Sequence, residues 1–212
     1  MGRLHAAHHV LNLRRYFDLR EDTGLCAINY LDRYIVRTPN IDTLSLRLAA
    51  CATLLIAAKF FDRKLPAPSE LAFAFDSSAS LRDRDIRQRQ IVNMELVIVS
   101  ALEWKLHIYS PSSFVPLLCD ACEIHCTATT YNQIKALIRL STVECVHERH
   151  SPAIIAAAAV LGAFYAESLF ERLSSCSRSI AHALAVHEDS VHSCMFELVR
   201  HGAGGGQEPL FV

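Results

Sequence analysis

Residues 48 to 58 read Leu48-Ala49-Ala50-Cys51-Ala52-Thr53-Leu54-Leu55-Ile56-Ala57-Ala58, a stretch apolar on every face of a helix. Alanine and leucine favour that helix, and a helix with no polar side must be enclosed by its neighbours. The run is shorter than the roughly 18 residues that span a bilayer, so the enclosing elements are other helices. Its many small side chains let those neighbours approach closely. A second run of the same kind, Ala153-Ile154-Ile155-Ala156-Ala157-Ala158-Ala159-Val160-Leu161-Gly162-Ala163-Phe164, lies within the apolar stretch 152–166. Two such helices, about a hundred residues apart, predict an all-α chain of two tandem helical bundles, each around a central apolar helix. The first bundle is expected over 1–108 and the second over 109–201, with a join near 108–112. The glycine-rich stretch after His201 predicts a flexible tail over 202–212.

Composition agrees with that reading. The chain has 212 residues, of which 51% are hydrophobic, enough to bury a sizeable core. Its net charge is -1 and its sequence pI about 6.8, which gives no electrostatic reason to expect nucleic-acid or anionic-membrane partners. Cys26, Cys51, Cys119, Cys122, Cys126, Cys145, Cys176 and Cys194 are scattered through apolar stretches and are expected to be reduced core residues of an intracellular protein. The opening Met1-Gly2-Arg3-Leu4-His5 lacks the apolar segment of a signal peptide, and Ala6 stands where a myristoylation signal needs Ser or Thr. A soluble chain is expected.

Helical spacing predicts helices near 3–17, 23–37, 43–61, 69–75, 81–103, 111–122, 131–147, 152–169, 177–187 and 189–200. Asp22-Thr23, Asp42-Thr43 and Ser80 with Asp83 read as helix starts. Ser110-Pro111 and Ser151-Pro152 each set a capping hydroxyl before a proline suited to the first helical turn. Leu65-Pro66-Ala67-Pro68 is a connector.

Charge on apolar stripes is the informative feature. Arg3 shares a face with Ala6, Val10, Leu13 and Phe17; Asp32 joins Leu25, Ile28 and Ile35. Glu95 lies in the stripe Ile91, Met94, Ile98 and Leu102, while Lys59 closes the all-apolar helix at the end where a cation suits the helix dipole. Each charge alone could reach solvent from a stripe margin. Two acids and two bases together argue for internal pairing, because an unpaired buried charge costs several kcal/mol.

These same residues carry a family resemblance. Leu25-Cys26-Ala27-Ile28-Asn29-Tyr30-Leu31-Asp32-Arg33-Tyr34 resembles the cyclin "LAVNYLDRF" helix, and Leu54-Leu55-Ile56-Ala57-Ala58-Lys59-Phe60 resembles "LLLAAKF". Met94-Glu95 followed by Leu102-Glu103-Trp104-Lys105-Leu106 is similar to "ME..VL..L.W.L", and Ser110-Pro111-Ser112-Ser113-Phe114 to "TP..F". The likeness covers residues 3 to about 118; beyond that it rests mainly on the small-residue central helix. It implies two cyclin-type helical bundles and a non-catalytic subunit that binds and activates a cyclin-dependent protein kinase in cell-cycle progression, in the nucleus and/or cytoplasm. Carried over position by position, it implies a buried set of Arg3, Asp32 and Leu48, with Arg3 paired to Asp32. It further implies a kinase-binding face of Lys59, Phe60, Glu95, Val99, Trp104 and Leu106, with Lys59 and Glu95 bonding to kinase backbone. Trp104 could instead be plain core. Nucleotide, Mg²⁺ and catalytic groups would all belong to the kinase, so no cofactor is expected here.

Departures from the family pattern are also legible. Many cell-cycle cyclins dock substrates on a first-helix patch with a "MRAIL" signature and a later Trp. The matching positions here are Gly2, Arg3, Leu4, His5, Ala6 and His9, so that dock is expected to be degenerate. No counterpart of the helix that precedes the first one in cyclins is legible ahead of Arg3, as in a divergent cyclin, a short isoform or an incomplete product. Lys59-Phe60-Phe61-Asp62-Arg63-Lys64 resembles D- and J-type cyclins more than mitotic ones. Cys119-x-x-Cys122-x-x-His125-Cys126 invites a zinc reading, but residues 119, 122 and 126 would share one helical face and no second ligand pair follows, so core packing is expected and no metal. His147-Glu148-Arg149-His150 lacks metalloprotease spacing, and no phosphate loop or nucleophile elbow is present, so the chain is not expected to be an enzyme. The rival functions are a transcriptional cyclin-fold adaptor, which would want a basic face, and a pseudo-cyclin scaffold that binds without activating.

Overall fold

A computed structural model describes residues 2–123, 126–166 and 170–204, and among these it contains helices and turns without a strand. The chain divides between Ile108 and Tyr109 into two units. In the first, α1 (Arg3–Tyr16), α2 (Glu21–Arg37), α3 (Thr43–Phe61), α4 (Pro68–Phe75) and α5 (Leu81–Ala101) pack with α3 at the centre. By length and composition alone α3, with 19 residues and a mean hydropathy of 1.7, would pass for a bilayer-crossing segment. Instead Leu46 and every residue from Leu48 to Ala58 are buried among α1, α2, α4 and α5. That includes Leu48, 6% exposed.

Local chemistry sets the helix ends. The Asp42 carboxylate accepts from the Leu44 and Ser45 amides at 2.8 and 3.0 Å and starts α3. The Ser80 hydroxyl accepts from the Asp83 amide at 3.2 Å and donates to the Asp83 carboxylate at 2.6 Å, so this cap is closed side chain to side chain. Pro68 opens α4, where a missing amide is harmless, and the Glu70 carboxylate accepts from the Ala67 amide at 2.7 Å. The expected start at Asp22-Thr23 is corrected: α2 begins at Glu21, and Thr23, fully buried, donates its hydroxyl to Asp62 across the bundle rather than capping its own helix.

In the second unit a 3-10 turn (Pro111–Phe114) leads into α6 (Val115–Ala121), followed by α7 (Ala128–Val143), α8 (Pro152–Ala166), α9 (Phe170–Leu184) and α10 (Glu188–Gly204). Residues 155–164 of α8 are all buried, enclosed by α6, α7, α9 and α10. Gly162 permits the closest approach: a Cβ there would lie 3.0 Å from Leu137 Cδ1.

Boundaries differ most here. The helix expected over 111–122 opens as a 3-10 turn because Pro116 has no amide to give an α-helical bond. The helix expected over 131–147 starts at Ala128, because Thr127 accepts from the Thr130 amide at 3.1 Å, and ends at Val143 before Cys145 adopts φ 58°. α9 begins seven residues before the expected 177, with no glycine or proline to signal its start. α10 continues through Gly204, so helix replaces the start of the expected tail; residues 205–212 lie outside the described residues. Cys126 lies past the end of α6, so it does not share a helical face with Cys119 and Cys122 as the sequence suggested.

Candidate partner-binding face

Two ion pairs organise the first unit. Arg3, at the start of α1, makes two bonds of 2.7 Å to the Asp32 carboxylate of α2, through Nε and Nη2. The two groups meet as a planar fork on a planar acceptor, the geometry in which arginine binds carboxylate best. Asp32 is 6% exposed as a residue and the Arg3 side chain 21%, so the pair is enclosed from the acid's side and reaches solvent from the base's.

The second pair faces outward. Lys59, in the last turn of α3, bonds the Glu95 carboxylate of α5. Its side chain is 46% exposed and that of Glu95 is 15%. Phe60, the next residue after Lys59, stands 62% exposed. Val92, Glu95, Leu96 and Val99 share a face of α5 by three-four spacing. Of these, Val99 is nearly buried, whereas Leu96 is 61% exposed. Sequence reasoning passed over Leu96 because it sits off the core stripe; an apolar residue off-stripe was the available signal. Beyond Phe60, Phe17, Arg20, Phe61, Arg63 and Lys64 border an open groove of ≈ 450 Å³, also unforeseen.

Trp104 owes its position to an unusual chain reversal. The helix expected to run to 103 stops at Ala101, and Glu103 and Trp104 adopt φ 54° and 59° in succession. Bonds from the Trp104 amide to Val99 O at 3.0 Å and the Glu103 amide to Ser100 O at 2.9 Å close this end. Side chains of α2 hold the turn from the other side: the Tyr30 hydroxyl donates to Leu106 O at 2.6 Å, and Arg33 donates to Lys105 O at 2.7 Å. Burial, and then the charge of nearby Cys26, push the Tyr30 hydroxyl up to about 12, so it stays a donor. Left-handed backbone is strained for an aromatic residue, and such strain persists only where the surroundings impose it. Trp104 is turned outward, 74% exposed, and is therefore not core; Leu106 beside it is half-buried.

At the positions matched to a substrate dock, Gly2 and His5 are exposed, Ala6 is buried and His9 is half-buried, its Nε2 3.9 Å from Cys51 Sγ. Burial, with a smaller contribution from Arg47, lowers the His9 pKa. In the second unit the Ser177 hydroxyl lies 2.8 Å from His192 Nε2 and 3.2 Å from a Glu188 oxygen. The carboxylate there meets the hydroxyl rather than orienting the ring, and Ser177 is fully buried, so this is not a nucleophile arrangement. All eight cysteines are free thiols.

Two helical bundles in tandem along the chain, each built around an apolar helix, define a cyclin-type fold, and the first carries a surface with an outward Lys59–Glu95 pair, exposed Phe60 and exposed Trp104. The family profile "Cyclin, N-terminal domain" matches residues 2–107, which contain all of that surface, and the chain belongs to the cyclin family. The chain is 26% identical over 217 residues to Cyclin-D5-2 of Oryza sativa subsp. japonica, covering 93% of this chain and 57% of that protein. It is 24% identical over 208 residues to Cyclin-D3-2 of Arabidopsis thaliana, covering 94% of this chain and 53% of that one. It thus spans about half the length of these relatives. The X-ray structure of a viral cyclin from Herpesvirus saimiri is similar in fold, with a TM-score of 0.65 at 18% identity over 92% of this chain and 84% of the viral one.

Proposed function

We propose that this chain is the regulatory subunit of a cyclin-dependent protein kinase and acts in cell-cycle control, in the nucleus and/or cytoplasm. The observation that carries this reading is the outward Lys59–Glu95 pair flanked by exposed Phe60, with exposed Trp104 at the end of α5, in a cyclin-family domain. Aromatic anchors around a charged pair that docking would desolvate are what an interface hot spot requires. On binding, Lys59 and Glu95 turn part of their hydrogen bonding to kinase backbone, while Phe60, Trp104, Leu106 and the edge of Val99 pack against the regulatory helix of the kinase small lobe. That packing favours the kinase state in which its own Lys–Glu pair forms and its activation segment leaves the cleft. ATP, Mg²⁺ and the phosphoryl-transfer groups belong to the kinase. Substrate choice does not run through the first-helix patch, whose positions are Gly2, His5, Ala6 and His9.

The test is titration of the chain against a panel of purified cyclin-dependent kinases, followed by a phosphorylation assay on a histone substrate. At least one kinase is expected to bind and gain activity, and Trp104→Ala to weaken that binding about tenfold or more. Binding without a gain in activity would make the chain a pseudo-cyclin scaffold. Equal affinity for the Trp104→Ala variant would remove the assigned face.

A further inference from the structure

Two of the eight thiols lie in contact. Cys119, in the last turn of α6, and Cys126, seven positions on and immediately before the Thr127 cap of α7, have their sulfurs 2.8 Å apart. Other cysteines sit differently. Cys26, Cys51, Cys176 and Cys194 are buried, while Cys122 directs its sulfur at the Cys176 carbonyl, 3.9 Å away. Cys119 is 9% exposed and Cys126 half-buried, so of these two an oxidant in solution reaches Cys126 first.

From this contact we infer that Cys119 and Cys126 form an oxidation site, a dithiol that hydroperoxides convert to a disulfide joining the end of α6 to the start of α7. The Cys126 thiol gives its proton to solvent and attacks one peroxide oxygen as the thiolate; the O–O bond breaks, Cys126 becomes a sulfenic acid, and the departing hydroxide takes a proton back from solvent to leave as water. The Cys119 sulfur then attacks the Cys126 sulfur, its proton goes to the departing hydroxyl, and a second water leaves. In sum, two thiols and one hydrogen peroxide become one disulfide and two waters, the sulfurs supplying two electrons. Burial, reinforced by the bond to Cys126, pushes Cys119 up to about 12. It therefore keeps its proton while Cys126 meets the peroxide, and acts as the resolving partner. The movement needed is small, since a disulfide closes at about 2.05 Å.

The experiment treats the reduced full chain with stoichiometric hydrogen peroxide, caps remaining thiols with N-ethylmaleimide and cleaves on the carboxyl side of glutamate. Cleavage after Glu123 separates Cys126 from Cys119 and Cys122, so a linked peptide pair reports the bridge directly. The expected product is a Cys119–Cys126 link lighter by two hydrogens, reversed by dithiothreitol and formed about tenfold faster than Cys145 is oxidised. Cys126→Ser and Cys119→Ser should each abolish the link, and Cys122→Ser should retain it. Because Cys126 is the less buried of the two, its variant remains informative even if Cys119→Ser folds poorly. Passage of Cys126 to sulfinic acid without a link would overturn the assignment. So would a bridge mapped to Cys122, or stoichiometric zinc that blocks alkylation of Cys119, Cys122 and Cys126 together.

Discussion

Arg3–Asp32 and Lys59–Glu95 are both acid–base pairs set into apolar helix faces of one bundle, yet their surroundings differ. The acid of the first is buried, and its base reaches it by a two-bond fork. The base of the second is nearly half exposed, in the last turn of a core helix, with an exposed phenylalanine beside it. A charge whose partner closes over it serves architecture, because removing the partner leaves a desolvated ion behind. A charge pair left open contributes little to folding but stays available to a second protein. The same sequence signal therefore has two meanings, and exposure separates them.

The two roles can be pulled apart by mutation. The largest effect expected is on kinase affinity: Lys59→Glu should weaken binding at least a hundredfold, about 2.7 kcal/mol or more, with helical content nearly unchanged. Isothermal titration against the activated kinase decides it, and unchanged affinity would assign the face elsewhere. Next comes Arg3→Ala, which should destabilise the chain by about 2–4 kcal/mol in urea unfolding through loss of the two-bond fork to the buried Asp32 carboxylate. Arg3→Ala combined with Asp32→Asn should recover part of that loss; a single variant as stable as the parent would contradict enclosure of the acid.

Smaller effects test the turn that presents Trp104. Tyr30→Phe removes the bond to Leu106 O and should cost about 1 kcal/mol of stability. The Tyr30 hydroxyl is raised from 10 to about 12 in the fold, so its contribution is complete below pH 10 and lost as pH rises toward 12. The parent should therefore lose more stability than Tyr30→Phe across that interval; parallel curves would count against burial of the hydroxyl. Smallest of all, Lys59→Met should shift folding stability by less than about 0.5 kcal/mol, as an open ion pair does. A loss of several kcal/mol would mean that this pair is structural, like the inner one.

Much of the fold was legible because each signal was local. The apolar runs at 48–58 and 153–164 named both central helices, and Asp42 and Ser80 marked helix starts through their own side chains, whereas Pro68, read as connector, opens α4. Legibility failed where distant groups competed. Thr23 reads as a cap but bonds Asp62, 39 positions away. The α5 pattern runs on past Ala101, yet Tyr30 and Arg33 of α2 hold residues 105 and 106 in a turn. The early start of α7 has a local cause that the reading missed, the Thr127 cap, and α9 starts early with no glycine or proline to signal it.

By itself, then, the sequence determined an all-helical chain with two apolar centres and four charges too deep in their stripes to stand alone, since periodicity and the penalty on a buried ion are properties of one helix at a time. Only tertiary structure decided which charge met which, that Asp32 would be enclosed and Lys59 left open, and that Trp104 would point outward. Exposure is a property of what packs against a side chain, and for these residues the packing elements come from elsewhere in the chain.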